Sequence, residues 1–136
     1  MSIGDTLLYS TGQYLGRELS GLGARYAYVP GIPTVTAAAS RAGMALASGR
    51  EGLLVTAMPD TLEKLEQLAA CAETLALLKV NKRLPVLMDF IRAHKPAGAV
   101  LLHRLGLEGE GCFDLTTDQD MPRDIGYLSI AIVRRG

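Results

Sequence analysis

Three stretches of this chain carry residue types and spacings that could do chemistry. The first is Gly4-Asp5-Thr6-Leu7-Leu8-Tyr9-Ser10-Thr11, a glycine and an acid after what reads as a strand end, followed by hydroxyls at a helix start. Crevices between a strand end and a helix are where open α/β sheets take ligands, because backbone N–H groups converge there and glycine lets a ligand approach the main chain. Taken alone, the pattern is more simply an ordinary turn followed by a Ser10 N-cap. The second stretch, Val29-Pro30-Gly31-Ile32-Pro33-Thr34, is either a ligand-shaping turn or just a rigid start to a helix. The third, Leu77-Leu78-Lys79, puts a lysine at the C-terminal end of an apolar strand, where a charge can face a ligand or merely mark the exit from the core.

Other chemistries lack their residues. His94 and His103 stand apart and read as structural, and Cys71 and Cys112 are far from one another with no Cys-x-x-Cys pair, so no metal ligand set is expected. No Ser-His-Asp order, His-Glu-x-x-His, P-loop or Gly-x-Gly-x-x-Gly occurs. Fourteen Lys plus Arg balance fourteen Asp plus Glu, which gives no electrostatic case for nucleic acid or an anionic membrane. Five Tyr, two Phe and no Trp disfavour a base-stacking surface. Without a leader-like start or an apolar run of ~20 residues, the chain is expected to be soluble and cytoplasmic, with reduced thiols.

Stepping from these residues to the elements that must hold them, 136 residues with 49% apolar and 21% charged content suffice for one domain or two small ones. Leu15, Leu19 and Leu22 predict a short helix closed by Gly21 and Gly23, and Tyr26 to Val29 predicts a strand. Thr34 to Ala42 is an alanine-rich helix stopped by Gly43. A polar, glycine-bearing stretch from Leu46 to Gly52 suggests a boundary, dividing the chain into residues 1–46 and 47–136. Beyond it come a strand at Leu53 to Thr56, a helix whose capping-box-like start is Asp60 and Glu63, and a strand at Thr74 to Leu78. A helix opened by Pro85 follows, with Leu87, Phe90, Ile91 and His94 on its inner face. Strands at Ala99 to Leu102, Phe113 to Thr116 and Tyr127 to Val133 close the chain, the last alternating Leu128, Ile130 and Ile132 against Tyr127, Ser129 and Ala131. The fold class is α/β, with about five strands in a mixed sheet.

In this order the stretches resemble the tetrapyrrole (corrin and porphyrin) methylases, and within them the precorrin-2 or cobalt-factor II C(20)-methyltransferases. That family carries Gly-Asp-Pro-x-x-Tyr-Ser-Thr, then Pro-Gly-Ile-Pro/Ser running into an alanine-rich helix, then Leu-Met-Lys, and ends in Tyr-Phe-Ser-Leu. Here these are Gly4 to Thr11, Pro30 to Ala39, Leu77 to Lys79 and Tyr127 to Ile130, with Thr6 in place of the proline and Leu78 in place of the methionine. The Tyr-Ser-Thr triplet and the Tyr127 to Ile130 ending favour the C(20) group.

The resemblance implies S-adenosylmethionine as cofactor, touched by Gly4, Asp5, Thr6, Tyr9, Ser10, Thr11, Pro30, Gly31, Leu77, Leu78 and Lys79. It implies a reduced tetrapyrrole as substrate, methylated at carbon 20 in cobalamin biosynthesis, and a homodimer as the assembly. No catalytic side chain is singled out, since a sulfonium makes its methyl carbon electrophilic and the protein has mainly to align the reactants. The implied fold is the C-terminal mixed-sheet domain of these methylases, preceded by a partial N-terminal α/β domain in which Ile3 to Gly4 is the stub of a strand. The family's earlier glycine-rich portion has no counterpart here, so the chain alone is expected to be incomplete and to bind the cofactor weakly or not at all. A non-catalytic dimerising fragment, or a sister methylase acting at another ring position, are the alternatives.

Overall fold

A computed structural model describes residues 4–117 and 125–136. Four helices, α1 (Gly12–Gly21), α2 (Thr34–Ala42), α3 (Leu62–Ala69) and α4 (Leu84–His94), accompany five strands, β1 (Leu53–Ala57), β2 (Thr74–Leu78), β3 (Gly98–His103), β4 (Gly111–Asp114) and β5 (Ser129–Arg134). The strands form one sheet in the order β1-β2-β5-β3-β4. β1 and β2 are parallel, joined across α3, while β5 runs antiparallel to both of its neighbours, β2 and β3, and β4 is antiparallel to β3.

Helices cover both faces. Leu75 and Leu77 of β2, Leu101 of β3 and Val133 of β5 meet Leu65 of α3 and Leu87, Phe90 and Ile91 of α4 on one side. On the other, Ala76, Leu102, Ile130 and Ile132 meet Val35, Ala38 and Ala39 of α2. The small side chains of α2 let its axis lie close to the sheet, and Gly43 closes it in the left-handed conformation at φ 64°. Pro85 occupies the first turn of α4, where its missing N–H costs nothing. The Leu46 to Gly52 connection is tied to the end of β5, since Arg134 donates to both Glu51 carboxylate oxygens (2.7 and 2.8 Å) and to the Ala45 carbonyl (3.1 Å).

Several expectations are corrected. Tyr26 to Val29 is not a strand: no neighbouring strand pairs with it among the described residues, and it lies against α1 through side chains instead. The Tyr26 and Tyr28 rings meet edge to face at 5.4 Å, Tyr26 shares a hydrogen bond with Ser20 (2.9 Å), and the Tyr28 hydroxyl fills the space over Gly16. The leucines whose spacing predicts α1 do not form a buried face, Leu15 being 61% and Leu22 81% exposed, and Gly16 is the buried residue of that helix. Thr61, not Asp60, caps α3, accepting from the Lys64 amide. His94 is exposed rather than inward, stacked on Phe90 and 3.1 Å from Glu66. β4 starts earlier and stops at Asp114, whose carboxylate accepts from the Thr116 amide (2.8 Å) and so turns the chain. β5 starts at Ser129, and its residues Ser129 to Val133 are buried on both faces because it lies centrally in a sheet covered on both sides. Gly4 is a bend at φ 82°, not a strand end, and Ile3 lies outside the described residues.

Candidate functional site

One carboxylate folds the first two motifs together. Asp5 Oδ1 accepts from the Leu7 amide (2.8 Å) and the Leu8 amide (3.2 Å), and Oδ2 accepts from the Gly31 amide (3.2 Å). These N–H groups, Leu7's first, hold the Asp5 carboxyl below the usual carboxylate range. Gly31 packs so tightly on the Gly4 carbonyl that a Cβ there would collide with it. Gly12 is similarly pressed against the Thr6 carbonyl, and its amide donates to Ser10 Oγ (3.2 Å). The Gly4 to Thr11 loop and the Pro30–Gly31 turn are therefore one backbone-to-backbone unit at the entrance to α2.

The sheet presents its own turn to the same place. Because β5 is antiparallel to β2 and β3, the C-terminal ends of β2 and β3 and the start of β5 lie at one end of the sheet. There Lys79 takes φ 60° and Arg104 φ 52°, and Tyr9 of the facing loop takes φ 51°. Left-handed backbone in non-glycine residues costs about 1–3 kcal/mol each and gathers at functional sites. Hydrogen bonds hold these turns: the Lys79 amide donates to the Ser129 carbonyl (3.0 Å), the Asn81 amide to Ser129 Oγ (3.1 Å) and the Arg104 amide to the Leu128 carbonyl (2.8 Å).

Between the two units lies a cavity of about 530 Å³, inside the ~300–1,000 Å³ range of small-molecule and cofactor sites. Of the residues singled out in the sequence, Gly4, Asp5, Tyr9, Ser10, Thr11, Leu78 and Lys79 line it. Thr6, Pro30, Gly31 and Leu77 do not. Gly31 acts behind the wall through Gly4 and Asp5, and the Leu77 side chain points to the opposite face, fully buried against α3 and α4. The sequence reading missed the floor, made by Val35, Leu102 and Ile130, and a wall made by Leu105, Gly106 and Leu107 of the β3–β4 loop. Gly106 and Gly109, both inside that loop shortly after an apolar strand, were the available signal. Tyr127 to Ser129 complete the lining.

Among the described residues the lining is chiefly apolar, with hydroxyls from Ser10, Thr11, Thr34 and Ser129 and two charged side chains, Asp5 and Lys79. That set suits a ligand with an apolar aromatic part and balanced charge. Among the described residues no three His, Cys, Asp or Glu side chains gather as a metal site. No helix among them is long and apolar enough to cross a membrane.

A five-stranded mixed sheet with helices on both faces and a cavity at one strand end is an α/β ligand-binding architecture. The chain belongs to the family of tetrapyrrole (corrin/porphyrin) methylases, whose pattern residues 1–119 match. Members of this family use S-adenosylmethionine. Among its relatives, cobalt-precorrin-2 C(20)-methyltransferase of Salmonella typhimurium is 26% identical over 136 residues, covering 99% of this chain and 57% of that protein. The fold matches uroporphyrin-III C-methyltransferase from Thermus thermophilus (TM-score 0.65, 20% identity, 97% of this chain and 61% of that one). A structure of that enzyme with S-adenosylhomocysteine matches equally (TM-score 0.65, 18% identity, 96% and 62%). A cobalt precorrin-4 methyltransferase matches with TM-score 0.71 at 20% identity, over 96% of this chain and 61% of that one. The chain thus spans about three-fifths of the length of the relatives it matches.

Proposed function

We propose that this chain forms the cofactor cavity of a methyltransferase that moves a methyl group from S-adenosylmethionine to carbon 20 of precorrin-2 or cobalt-factor II, in cobalamin biosynthesis. The observation that carries the reading is the convergence of Gly4 to Thr11, the start of α2, Leu78–Lys79 and Tyr127 to Ile130 on one cavity. These stretches are separated in the chain, and they are the ones through which the sequence resembles the C(20) methylases. In this reading residues 1–46 are the remnant of a cofactor-binding α/β domain, residues 47–136 form the second domain, and a second copy of the chain is the partner.

The residues fit the cofactor. Val35, Leu102 and Ile130 give an apolar floor for an adenine, while the hydroxyls of Ser10, Thr11 and Thr34 and the side chain of Lys79 offer partners for the ribose and amino-acid ends. When bound, the cofactor supplies a methyl carbon already activated by its sulfonium. What remains for the chain is to fix position and exclude water, and rigid backbone turns do this without a general acid or base.

Titration with S-adenosylhomocysteine, followed by amide chemical shifts, tests the reading. The amides of Gly4, Tyr9, Lys79 and Ser129 should shift together along one weak isotherm, and Lys79→Ala should weaken it. No response at these amides, or a response confined to the α3–α4 face, would remove the assignment. Ring position is tested separately, by the carbon that becomes labelled when a methyl-labelled donor is supplied with each reduced tetrapyrrole. A product labelled at another carbon selects a sister methylase.

A further inference from the structure

One wall of the cavity is held by a carboxylate that does not line it. Glu110, at the end of the β3–β4 loop, uses its two oxygens in different directions. Oε1 accepts from Arg41 Nε on α2 at 2.6 Å, and Oε2 accepts from the Gly106 amide at 2.7 Å. Gly106 lies in the cavity wall with Leu105 and Leu107. Arg41 lies one helical turn beyond Ala37, which faces the cavity from α2. A single side chain therefore connects the helix on one side of the cavity to the loop on the other.

The loop needs such a tie. Arg104, Gly106 and Gly109 all take left-handed backbone, at φ 52°, 73° and 78°. Its internal backbone bonds are two tight turns, Leu107 to the Arg104 carbonyl (2.8 Å) and Glu110 to the Leu107 carbonyl (3.1 Å). Leu107 is 39% exposed, so burial alone does not fix the wall. The Gly106 N–H, and after it the Arg41 guanidinium, hold the Glu110 carboxyl below the ordinary glutamate range, so its charged, doubly accepting form persists at neutral pH. Surface ion pairs often contribute little. This one differs in that its carboxylate also satisfies a backbone donor, and charge-assisted bonds of that kind are the stronger class.

We propose that Glu110, anchored by Arg41, is a positioning residue that sets the β3–β4 loop against α2 and thereby the width of the cavity. The claim about the loop concerns the free chain, and its consequence for cofactor binding rests on the function proposed above.

Site-resolved amide exchange and the S-adenosylhomocysteine titration together test it. Glu110→Ala should speed exchange at Gly106 about tenfold or more, the scale of losing a hydrogen bond to a charged group, while amides of Leu77 and Ile132 in the core keep their rates. Arg41→Ala should speed Gly106 less, because the Glu110–Gly106 bond survives. Glu110→Gln, which retains an acceptor for Gly106, should restore most of its protection. Gly106 exchange unchanged in Glu110→Ala would overturn the proposal, and so would acceleration spread equally over the core, which is general destabilisation. In the ligand arm, Arg41→Ala should weaken the isotherm several-fold with the same amides responding, and an unchanged isotherm would overturn the link to the cavity. If the parent chain shows no response to the ligand while Gly106 exchange behaves as expected, the cofactor reading fails and the positioning role of Glu110 stands.

Discussion

Asp5 is the residue on which the N-terminal half of the site turns. Both of its oxygens are committed to backbone amides of Leu7, Leu8 and Gly31, so its role in the free chain is to shape the loop rather than to offer a free carboxylate. The sign of the pH effect follows. The folded value lies below the ordinary ~3.9 of an unfolded aspartate, so the Asp5 contribution is complete above that pH and is lost as pH falls through the lower folded value. A carboxyl-carbon titration should place Asp5 below ordinary aspartates, with the Gly31 amide shifting at the same midpoint. An ordinary midpoint would contradict the clamp. Gly31→Ala tests the same junction by steric means, since its Cβ would collide with the Gly4 carbonyl. We expect a loss of about 1–3 kcal/mol, the scale of overpacking, seen as a lower denaturation midpoint with the response to S-adenosylhomocysteine weakened at Gly4 and Tyr9. A variant as stable as the parent would show that the two loops separate freely.

At the scale of elements, α2 is the connection between core and cavity. Its inner face packs Ala38, which is fully buried, on Ile130 and Ile132, and the same helix presents Val35 and Ala37 to the cavity. Ala38→Leu should lift α2 from the sheet, cost about 1–3 kcal/mol in chemical denaturation, and move the cavity amides of β5 as well as those of α2. Shifts restricted to α2 would mean that the helix adapts without transmitting the strain. Much of this architecture was legible in sequence: Pro85, the Ala37 to Ala39 run and the apolar stretches at Leu53, Thr74 and Ala99 each announce their element through local chemistry. Neighbours decide the rest. The alternation in Tyr127 to Val133 reads as a half-exposed strand until β2 and β3 are seen on either side of β5, and Tyr26 to Val29 has strand-forming residues but no strand beside it. The cavity was legible where backbone-forming motifs mark it, at Gly4, Tyr9 and Lys79. It was marked only by Gly106 and Gly109 at Leu105 to Leu107, because the Arg41–Glu110 contact that ties this loop to α2 is made across 69 positions of sequence.

For the whole molecule, the distribution of apolar surface is uneven. Much of the exposed apolar surface lies before α2: Leu15, Leu22, Val29 and Ile32 are each more than half exposed, and Tyr14, Tyr26 and Tyr28 lie among them. The β1–β5 sheet, by contrast, is covered on both faces. Apolar surface left uncovered gains from burial, and in the homodimer reading proposed above a second copy would supply the matching patch through a two-fold arrangement. We therefore expect sedimentation equilibrium to report a concentration-dependent dimer. Leu15→Glu combined with Val29→Lys should shift it toward monomer without altering the amide exchange of β2 and β5, because neither side chain reaches the sheet core. A parent chain that stays monomeric over the whole concentration range would refute self-association, and a double variant that dimerises as tightly as the parent would place the contact elsewhere.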